Sequence, residues 1–261
     1  MSYDLFTDGA GVPLWTVSRL PAYPVFDLVW YQPVSRNTGA ETFAAAPYRQ
    51  EILLTLSWAG MSLADKISFE AFFLGGATGM ANGFNYTNSA TGSLNIPVRF
   101  ASSSLPQISE VAFGRYKVQF QLRVTTNYPQ YTVGEGTPYA SGNRFSIGST
   151  TCQFPVVSRQ STGYAPSIPQ TYELNTDGYP VIYRKSTRTI VRHDLSLVLT
   201  LFQFAELRTF FISWVHGQQK KFTWIDWAGV SHTVRLGASK ITVQQLAYNR
   251  YSTEIPLQEE L

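Results

Sequence analysis

The sequence predicts a mainly β fold of the α+β class, built from two tandem domains that each contain one short helix. Composition is the first sign: aromatic residues reach 15% and charged residues only 14%, against about 25% charged in typical soluble proteins. Abundant Tyr, Phe, Thr, Ser and Gly favour strands and turns. The second sign is a repeat, because FEAFFLGGATGMANGFNY at 69–86 is echoed by LRTFFISWVHGQQKKFTW at 207–224.

Each copy is expected to open with the tripeptide Tyr-Pro-Val, at residues 23–25 and 179–181. A strand follows in each copy, since apolar residues alternate there at the period of two that places them on one face. The alternating residues are Ile52, Leu54, Leu56 and Trp58 in the first copy, and Leu195, Leu197, Leu199 and Leu201 in the second.

A short helix is predicted directly after each of these strands, because apolar residues recur there at the i, i+3, i+4 spacing of one helix face. They are Ile67, Phe69, Phe72 and Phe73 in the first copy, and Leu207, Phe210, Phe211 and Trp214 in the second. The helices should end at Gly75-Gly76 and at Gly217, since glycine adopts a positive φ at little cost. Each apolar face is expected to pack on the preceding strand.

Further strands complete each copy, and their matched residues keep one order while the offset drifts only from 138 to 135 residues. Val98-Arg99-Phe100 matches Val234-Arg235-Leu236, and Arg115-Tyr116 matches Arg250-Tyr251. This drift indicates small loop changes within a duplicated unit. The predicted repeat core consists of Phe72, Phe73, Phe84 and Tyr86 in the first copy, and Phe210, Phe211, Phe222 and Trp224 in the second.

The predicted domains are residues 23–125 and residues 179–261. Residues 1–22 are expected to form an arm that packs on a partner rather than a core strand. Residues 126–178, rich in Gly, Ser, Thr, Pro and Tyr, leave two interpretations open. One is a linker followed by the leading strands of the second copy; the other is a long ordered loop that reaches a neighbouring subunit, since long loops in compact proteins are usually functional.

Few residues suggest chemistry. His193, His216 and His232 are too far apart for a local metal-ligand motif, and Cys152 is the only cysteine, which excludes a disulfide within the chain. We expect His193 to be exposed at the start of a strand, His216 to lie at a helix C-terminus and Cys152 to pack as a small apolar residue. No G-x-S-x-G motif occurs. We therefore expect no enzyme activity, no cofactor and no metal.

Charge and hydropathy exclude two further classes of function. No basic run exceeds two residues, and the net charge is only +3, so a dedicated nucleic-acid surface is not expected. Residues 195–215 approach the length of a membrane span, but Gln203, Glu206 and Arg208 interrupt them, so no membrane insertion is expected.

Four arginines recur at matched places of the two copies, which a catalytic role would not require. They are Arg99 and Arg115 in the first copy, and Arg235 and Arg250 in the second. Two interpretations stay open for them: ion pairs between subunits, or solvated strand edges.

The order of strand, Phe-Phe helix, glycine, aromatic strand and closing strand resembles the minor tail and distal tail proteins of long-tailed bacteriophages. Residues 179–257 are similar in particular to the small minor tail proteins of lambda-like phages, through Phe210-Phe211, Gly217 and the aromatic-x-Trp segment Phe222-Thr223-Trp224. In the first copy Tyr86 stands where that pattern has Trp, and the segment from Trp58 to Phe69 is a few residues longer. The resemblance covers about 150 of the 261 residues.

The resemblance implies two tail-tube-like domains, each a β-sandwich flanked by one helix. It further implies a non-enzymatic virion protein of the tail tip, assembled in the host bacterial cytoplasm. Its subunits would form a ring, with a hexamer favoured and a trimer possible. The ring would join the tail tube protein to tip hub or receptor-binding proteins, around a channel through which DNA passes only transiently.

A second function stays open on the residues alone. Trp224 and Trp227, together with tyrosines in loops, could stack on sugar rings, which would make the chain a carbohydrate-binding β-sandwich in a receptor-binding module. A cell-wall hydrolase is a third class, but no acid–base or metal constellation in the sequence favours it.

Overall fold

The structure is a computed structural model, and it divides into two compact units. Unit 1 takes its described residues from 1–29, 51–130 and 242–252, and unit 2 takes them from 30–50, 131–241 and 253–261. The described residues are 3–36, 42–47, 49–87, 95–125, 142–155, 165–167, 170–174, 180–184, 190–226, 228–247 and 249–260.

The first half of the chain forms strands around one helix, α1, which spans Leu63–Ala71 and continues into a π-helical turn at Phe72–Gly76. Its strands are β1 (Tyr3–Thr7), β2 (Pro13–Val17), β3 (Val25–Tyr31), β4 (Val34–Arg36), β5 (Thr42–Ala44), β6 (Arg49–Ser62), β7 (Phe84–Thr87), β8 (Asn95–Phe100), β9 (Ile108–Ala112) and β10 (Arg115–Val124).

The second half has the same composition of elements, with helix α2 at Leu201–Thr209 and a π-helical turn at Phe210–Val215. Its strands are β11 (Gly142–Ile147), β12 (Thr150–Pro155), β13 (Ala165–Ser167), β14 (Gln170–Leu174), β15 (Pro180–Arg184), β16 (Ile190–Leu199), β17 (Phe222–Ile225), β18 (Ser231–Leu236), β19 (Lys240–Ala247) and β20 (Arg250–Glu260). The mainly β, α+β class is thereby confirmed.

The order of elements repeats between the halves in the described part of the chain. Each half begins with a hairpin, β1–β2 or β11–β12, and then has a single strand, β3 or β13. A second hairpin follows, β4–β5 or β14–β15, and then the strand that leads into the helix. Four strands close each half. Each element of the first half therefore has a counterpart in the second.

The repeat extends to the pairing register of the strands. Phe6 of β1 pairs with Tyr86 as Phe145 of β11 pairs with Trp224. Phe84 and Val98 face each other as Phe222 and Val234 do, and Phe100 faces Leu122 as Leu236 faces Leu257. Because a slip of one residue would turn every side chain to the opposite face, this agreement fixes which positions of the two copies are equivalent.

The two helices begin and end in the same way. Ser62 and Thr200 cap the N-termini, and each side-chain oxygen accepts a backbone N–H from the residue three positions on, as N-caps do. After the π-helical turns the chain passes through two left-handed residues, Thr78-Gly79 in the first copy and His216-Gly217 in the second. In each case the glycine N–H donates to the carbonyl of the second phenylalanine, at 3.0 and 3.1 Å.

Aromatic rings fill both cores with matching geometry. Phe72 meets Phe84 at a centroid distance of 5.2 Å and an angle of 84° in unit 1, and Phe210 meets Phe222 at 5.5 Å and 84° in unit 2. Such edge-to-face pairs are favoured by the ring quadrupoles. All eight residues of the predicted repeat core are buried.

The N-terminal residues depart from expectation. Residues 3–7 and 13–17 form β1 and β2 of unit 1, and Leu5, Phe6 and Trp15 are buried there. The expected arm over 1–22 is therefore corrected. Phe6 packs 4.8 Å from Phe84, centroid to centroid, so this hairpin supplies a wall of the aromatic core.

The start of the repeat is corrected as well. Residues 23–25 lead into β3, whose counterpart in element order is β13, whereas Pro180-Val181 begins β15; Tyr179 lies outside the described residues. The two Tyr-Pro-Val tripeptides are therefore not equivalent. The second copy already begins at β11, inside the segment 126–178. The rest of that segment contributes β12, β13 and β14 or lies outside the described residues.

Two details of the predicted helices also differ. Leu201 is the first residue of α2 rather than the end of the strand, because Thr200 and Gln203 form a reciprocal capping box there. Ile67 and Trp214, expected on the buried faces, are 57% and 43% exposed. The π-helical turns widen the spacing after the helices, which rotates Trp214 away from the core side.

Candidate functional site

Three strands of unit 2 bring together the polar side chains His193, His232 and Glu259. His193 lies on β16, His232 on β18 and Glu259 on β20. His193 Nε2 lies 3.0 Å from Glu259 Oε2, and His232 Nδ1 lies 3.1 Å from the same oxygen. Since an ionised carboxylate only accepts hydrogen bonds, each imidazole donates an N–H to Glu259 in this arrangement.

The cluster is largely shielded from solvent. The side chains of His193, Glu259 and His232 are 8%, 12% and 18% exposed. The expectation of an exposed His193 is thereby corrected: β16 begins at Ile190, three residues earlier, and His193 faces the interior. Buried carboxylates normally require a compensating charge or several hydrogen bonds, so this trio is an unusual feature of the core.

Aromatic and acidic neighbours hold His232 in place. The Trp224 ring stacks on the His232 ring at 4.7 Å and 26°. Trp224 Nε1 donates to Asn143 Oδ1 at 3.0 Å, which fixes the indole. On the other side of the imidazole, Asp226 Oδ2 lies 3.7 Å from His232 Nε2. Asp226 is fixed in turn, because its Oδ1 accepts the backbone N–H groups of residues 228 and 230.

In the first copy, the three positions equivalent to His193, His232 and Glu259 are occupied by apolar residues. Register makes Ile96 the counterpart of His232, because each faces the aromatic residue Tyr86 or Trp224. Val124 is the counterpart of Glu259, because they face Val98 and Val234. Ile52 corresponds to His193, because continuing the β6–β10 register places Ile52 beside Val124, as His193 lies beside Glu259. All three first-copy residues are buried and aliphatic, so the fold does not need the polar trio for its packing.

The other two sequence-predicted candidates lie apart from this trio. His216 ends the π-helical turn of the second copy, at a helix C-terminus as expected. Cys152 is buried opposite Phe145 on β11, as predicted for a small apolar residue. Burial, with Glu206 as a smaller contributor, raises the pKa of the Cys152 thiol well above its ordinary value.

The four matched arginines do not share one environment. Arg99, Arg115 and Arg250 are exposed. Arg235 is half-buried, and its guanidinium donates to the carbonyls of Gln218 and Gln219 at 3.3 and 2.5 Å. Arg235 therefore ties down the loop after α2 in its own chain, and a role for the other three between subunits stays a prediction.

A second feature is the edge of unit 1 formed by β9. In the described part of the chain β9 pairs with β10 alone. Four of its five residues are exposed, and so are the large apolar side chains of Val111 and Phe113, at 53% and 102%. An edge strand with unpaired backbone groups and apolar side chains is a template for pairing with another strand.

Comparison of the chain with models of known protein families and with curated protein sequences finds no match. Among the described residues, no helix combines the length and hydropathy needed to cross a bilayer.

Proposed function

We propose that this chain is a structural protein of the tail tip of a long-tailed bacteriophage. It forms a ring that joins the tail tube to the tip hub or receptor-binding proteins around the DNA channel. The resemblance carried by Phe210-Phe211, Gly217 and Phe222-Thr223-Trp224 supports the tail assignment. Duplication of the whole element order supports a ring, because the two copies have equivalent strand edges and a contact made between copies within one chain can be repeated between chains.

One observation carries the ring part of the proposal: the two equivalent strands β9 and β19 have different partners. In unit 1, β19 lies between β20 and β3. The Gln245 N–H donates to the Pro24 carbonyl at 3.1 Å, and the Thr242 hydroxyl donates to Asp27 at 2.7 Å. The edge of β3 is thus covered by a strand from the second copy. In the described residues, β9 has no such neighbour.

Burial follows this difference in pairing. The turns after the two strands contain Gly114 and Asn249, both with positive φ and 135 residues apart, so Glu110 corresponds to Gln245. Gln245 is 1% exposed, whereas Glu110 is exposed. A strand position that a neighbouring strand buries in one copy, and that is exposed in its equivalent, marks an edge that a second molecule could cover.

The occupant that fits the β9 edge is another copy of this chain. Within the chain, β19 of the second copy covers β3 of the first. The reciprocal contact would place β9 of one molecule on β13 of the next, since β13 is the counterpart of β3 and pairs with β16 alone among the described strands. Such head-to-tail contacts are heterologous and generate rings when the rotation closes.

Two ring orders satisfy the proposal. A hexamer keeps the sixfold order that the resemblance implies and contains twelve copies of the repeat. A trimer would fill six equivalent positions with the two copies of each chain. The mass of the assembled particle distinguishes them. In either case the further partners are the tail tube protein and the hub or receptor-binding proteins, and DNA is in transit only.

The edge contact can be tested at one backbone group. By equivalence with Gln245, the Glu110 N–H points outward, away from β10. Proline removes an N–H and is tolerated on an edge strand, so Glu110→Pro should abolish assembly and leave the monomer folded. Glu110→Ala is the matched control: it removes the same side chain, whose Oε1 accepts the Gly114 N–H at 3.0 Å, but keeps the backbone donor.

We expect negative-stain micrographs of the purified wild type and of Glu110→Ala to show rings with a central channel. We expect only monomers for Glu110→Pro, with an unchanged circular dichroism spectrum. Rings formed equally by Glu110→Pro would overturn the edge contact but leave the ring. Immunogold labelling of phage particles at a position other than the tail tip would overturn the tail assignment itself.

The carbohydrate-binding alternative gains little from the structure. Trp224, one of its two proposed stacking residues, is 2% exposed beneath the His232 ring, and Trp227 lies outside the described residues. A glycan array with a reproducible hit, lost on Trp227→Ala, would revive it.

A further inference from the structure

We propose that His193, His232 and Glu259 form a binding site for one divalent transition-metal ion, and that Zn²⁺ is the ion they fit best. The site is independent of the ring proposal. Two imidazoles and one carboxylate are a known zinc ligand set, with a fourth position left for water or another ligand. The three offered ligand atoms lie within 4.8 Å of one another.

The spacing of the ligand atoms suits a small tetrahedral ion. Zinc bonds of about 2.0–2.1 Å place neighbouring ligand atoms of a tetrahedron about 3.3 Å apart. The two imidazole nitrogens lie 3.0 and 3.1 Å from Glu259 Oε2. The two contacts to Glu259 would need to lengthen by only a few tenths of an ångström. Rotation of the imidazoles would bring their two nitrogens, which lie within 4.8 Å of each other, to the same spacing.

The surroundings of His232 match those of a metal ligand. Ligating histidines almost always donate their second ring N–H to a carboxylate, a carbonyl or water, which fixes the tautomer. Asp226 Oδ2 lies 3.7 Å from His232 Nε2, so a shift of less than about 1 Å would let it accept that N–H once Nδ1 presents its lone pair to the metal. The stacked Trp224 keeps the imidazole plane fixed.

Charge also favours a cation in the trio. Two carboxylates, Glu259 and Asp226, face His232, and among the described residues no lysine or arginine forms an ion pair with either of them. A divalent cation supplies the missing positive charge, in a place where leaving a carboxylate uncompensated is costly.

The duplication argues that the trio is specialised. The equivalent positions of the first copy hold Ile52, Ile96 and Val124, which pack without polar groups. Since this fold packs its core with three aliphatic side chains in the first copy, two histidines and a glutamate are not required there for packing. The replacement of aliphatic by polar residues therefore indicates a role confined to the second copy.

The experiment is a calorimetric titration of Zn²⁺ into the full-length protein after treatment with a chelator. We expect one ion per chain. Co²⁺ in its place should give the visible absorption of a four-coordinate site. Glu259→Gln and His232→Gln should abolish saturable binding, and Asp226→Asn should weaken it about 10- to 100-fold. His216→Asn is the matched control, because His216 is not a member of the trio and asparagine tolerates its left-handed φ of 54°.

The first copy supplies a variant that should fold without metal. The triple change His193→Ile, His232→Ile and Glu259→Val rebuilds the aliphatic cluster of Ile52, Ile96 and Val124. We expect it to fold, to bind no Zn²⁺ and to show no rise in Tm when Zn²⁺ is added, in contrast to the wild type. Absence of uptake by the wild type, or equal uptake by the triple variant, would overturn the proposal.

Discussion

Replacing Gly217 with alanine should destabilise the protein far more than the same change at Gly79, although both glycines hold the same position after the helix. Their φ angles are 66° and 61°. An alanine in this left-handed region costs about 1–2 kcal/mol at either position. The two positions differ in what the added methyl group would meet.

At Gly217 an added Cβ would lie 2.7 Å from Cγ of Trp30 and 2.9 Å from an amide atom of the Gln32 side chain. Trp30 is 2% exposed, so its ring cannot move without repacking its neighbours, and overpacking of this kind costs about 1–3 kcal/mol. At Gly79 the nearest atom is the Ser103 carbonyl oxygen at 3.4 Å, close to ordinary contact. The expected losses are therefore about 2–5 kcal/mol for Gly217→Ala and about 1–2 kcal/mol for Gly79→Ala.

Urea denaturation followed by circular dichroism and tryptophan fluorescence measures both losses. If the two units unfold in separate steps, each variant is compared within the step that contains its position. A change in midpoint at constant m-value reports stability alone. Equal losses for the two variants, or a larger loss for Gly79→Ala, would refute the close approach of Trp30 to the chain after α2.

Two further predictions concern buried groups. The raised pKa of the Cys152 thiol, caused first by burial and then by Glu206, should leave it unreactive towards a disulfide reagent at pH 8 until urea unfolds the chain; fast labelling of the folded protein would contradict this. Burial raises the pKa of Asp65, but hydrogen bonds from Ser18 and Ser62 outweigh it and hold the net pKa below 3.8. The carboxylate therefore stabilises the fold above that value, and this contribution is lost as pH falls through the folded pKa. Asp65→Asn should be less stable than wild type at pH 7. The difference in stability between the two proteins should shrink below about pH 4. A constant difference in urea midpoint across that range would count against it.

Much of the fold could be predicted from local sequence patterns. The Phe-Phe helix, its glycine end and the aromatic strand were readable because each is specified by residues within about twenty positions, through the helical period and the alternation of strands. The N-terminal hairpin was not readable as part of a core. Phe6 and Trp15 lie in short strands, YDLFT and PLWTV, and their burial depends on β7 and α1, which come much later in the chain.

The His193–His232–Glu259 trio was missed for a different reason. Its members lie on three strands and meet only through sheet register, so no spacing rule brings them together. A signal was nevertheless present. Aligning the copies through Val98 and Val234 sets His232 against Ile96 and Glu259 against Val124. A polar residue aligned with an aliphatic core residue of the other copy is unusual, and comparison of the two copies reveals it.

The central claim is that this duplicated chain assembles into a closed ring, and cryo-electron microscopy of the purified full-length protein tests it most directly. Class averages should show a ring with an open channel and an even number of similar lobes, two from each chain. A single monomeric species at every concentration, or open filaments of indefinite length, would contradict the account.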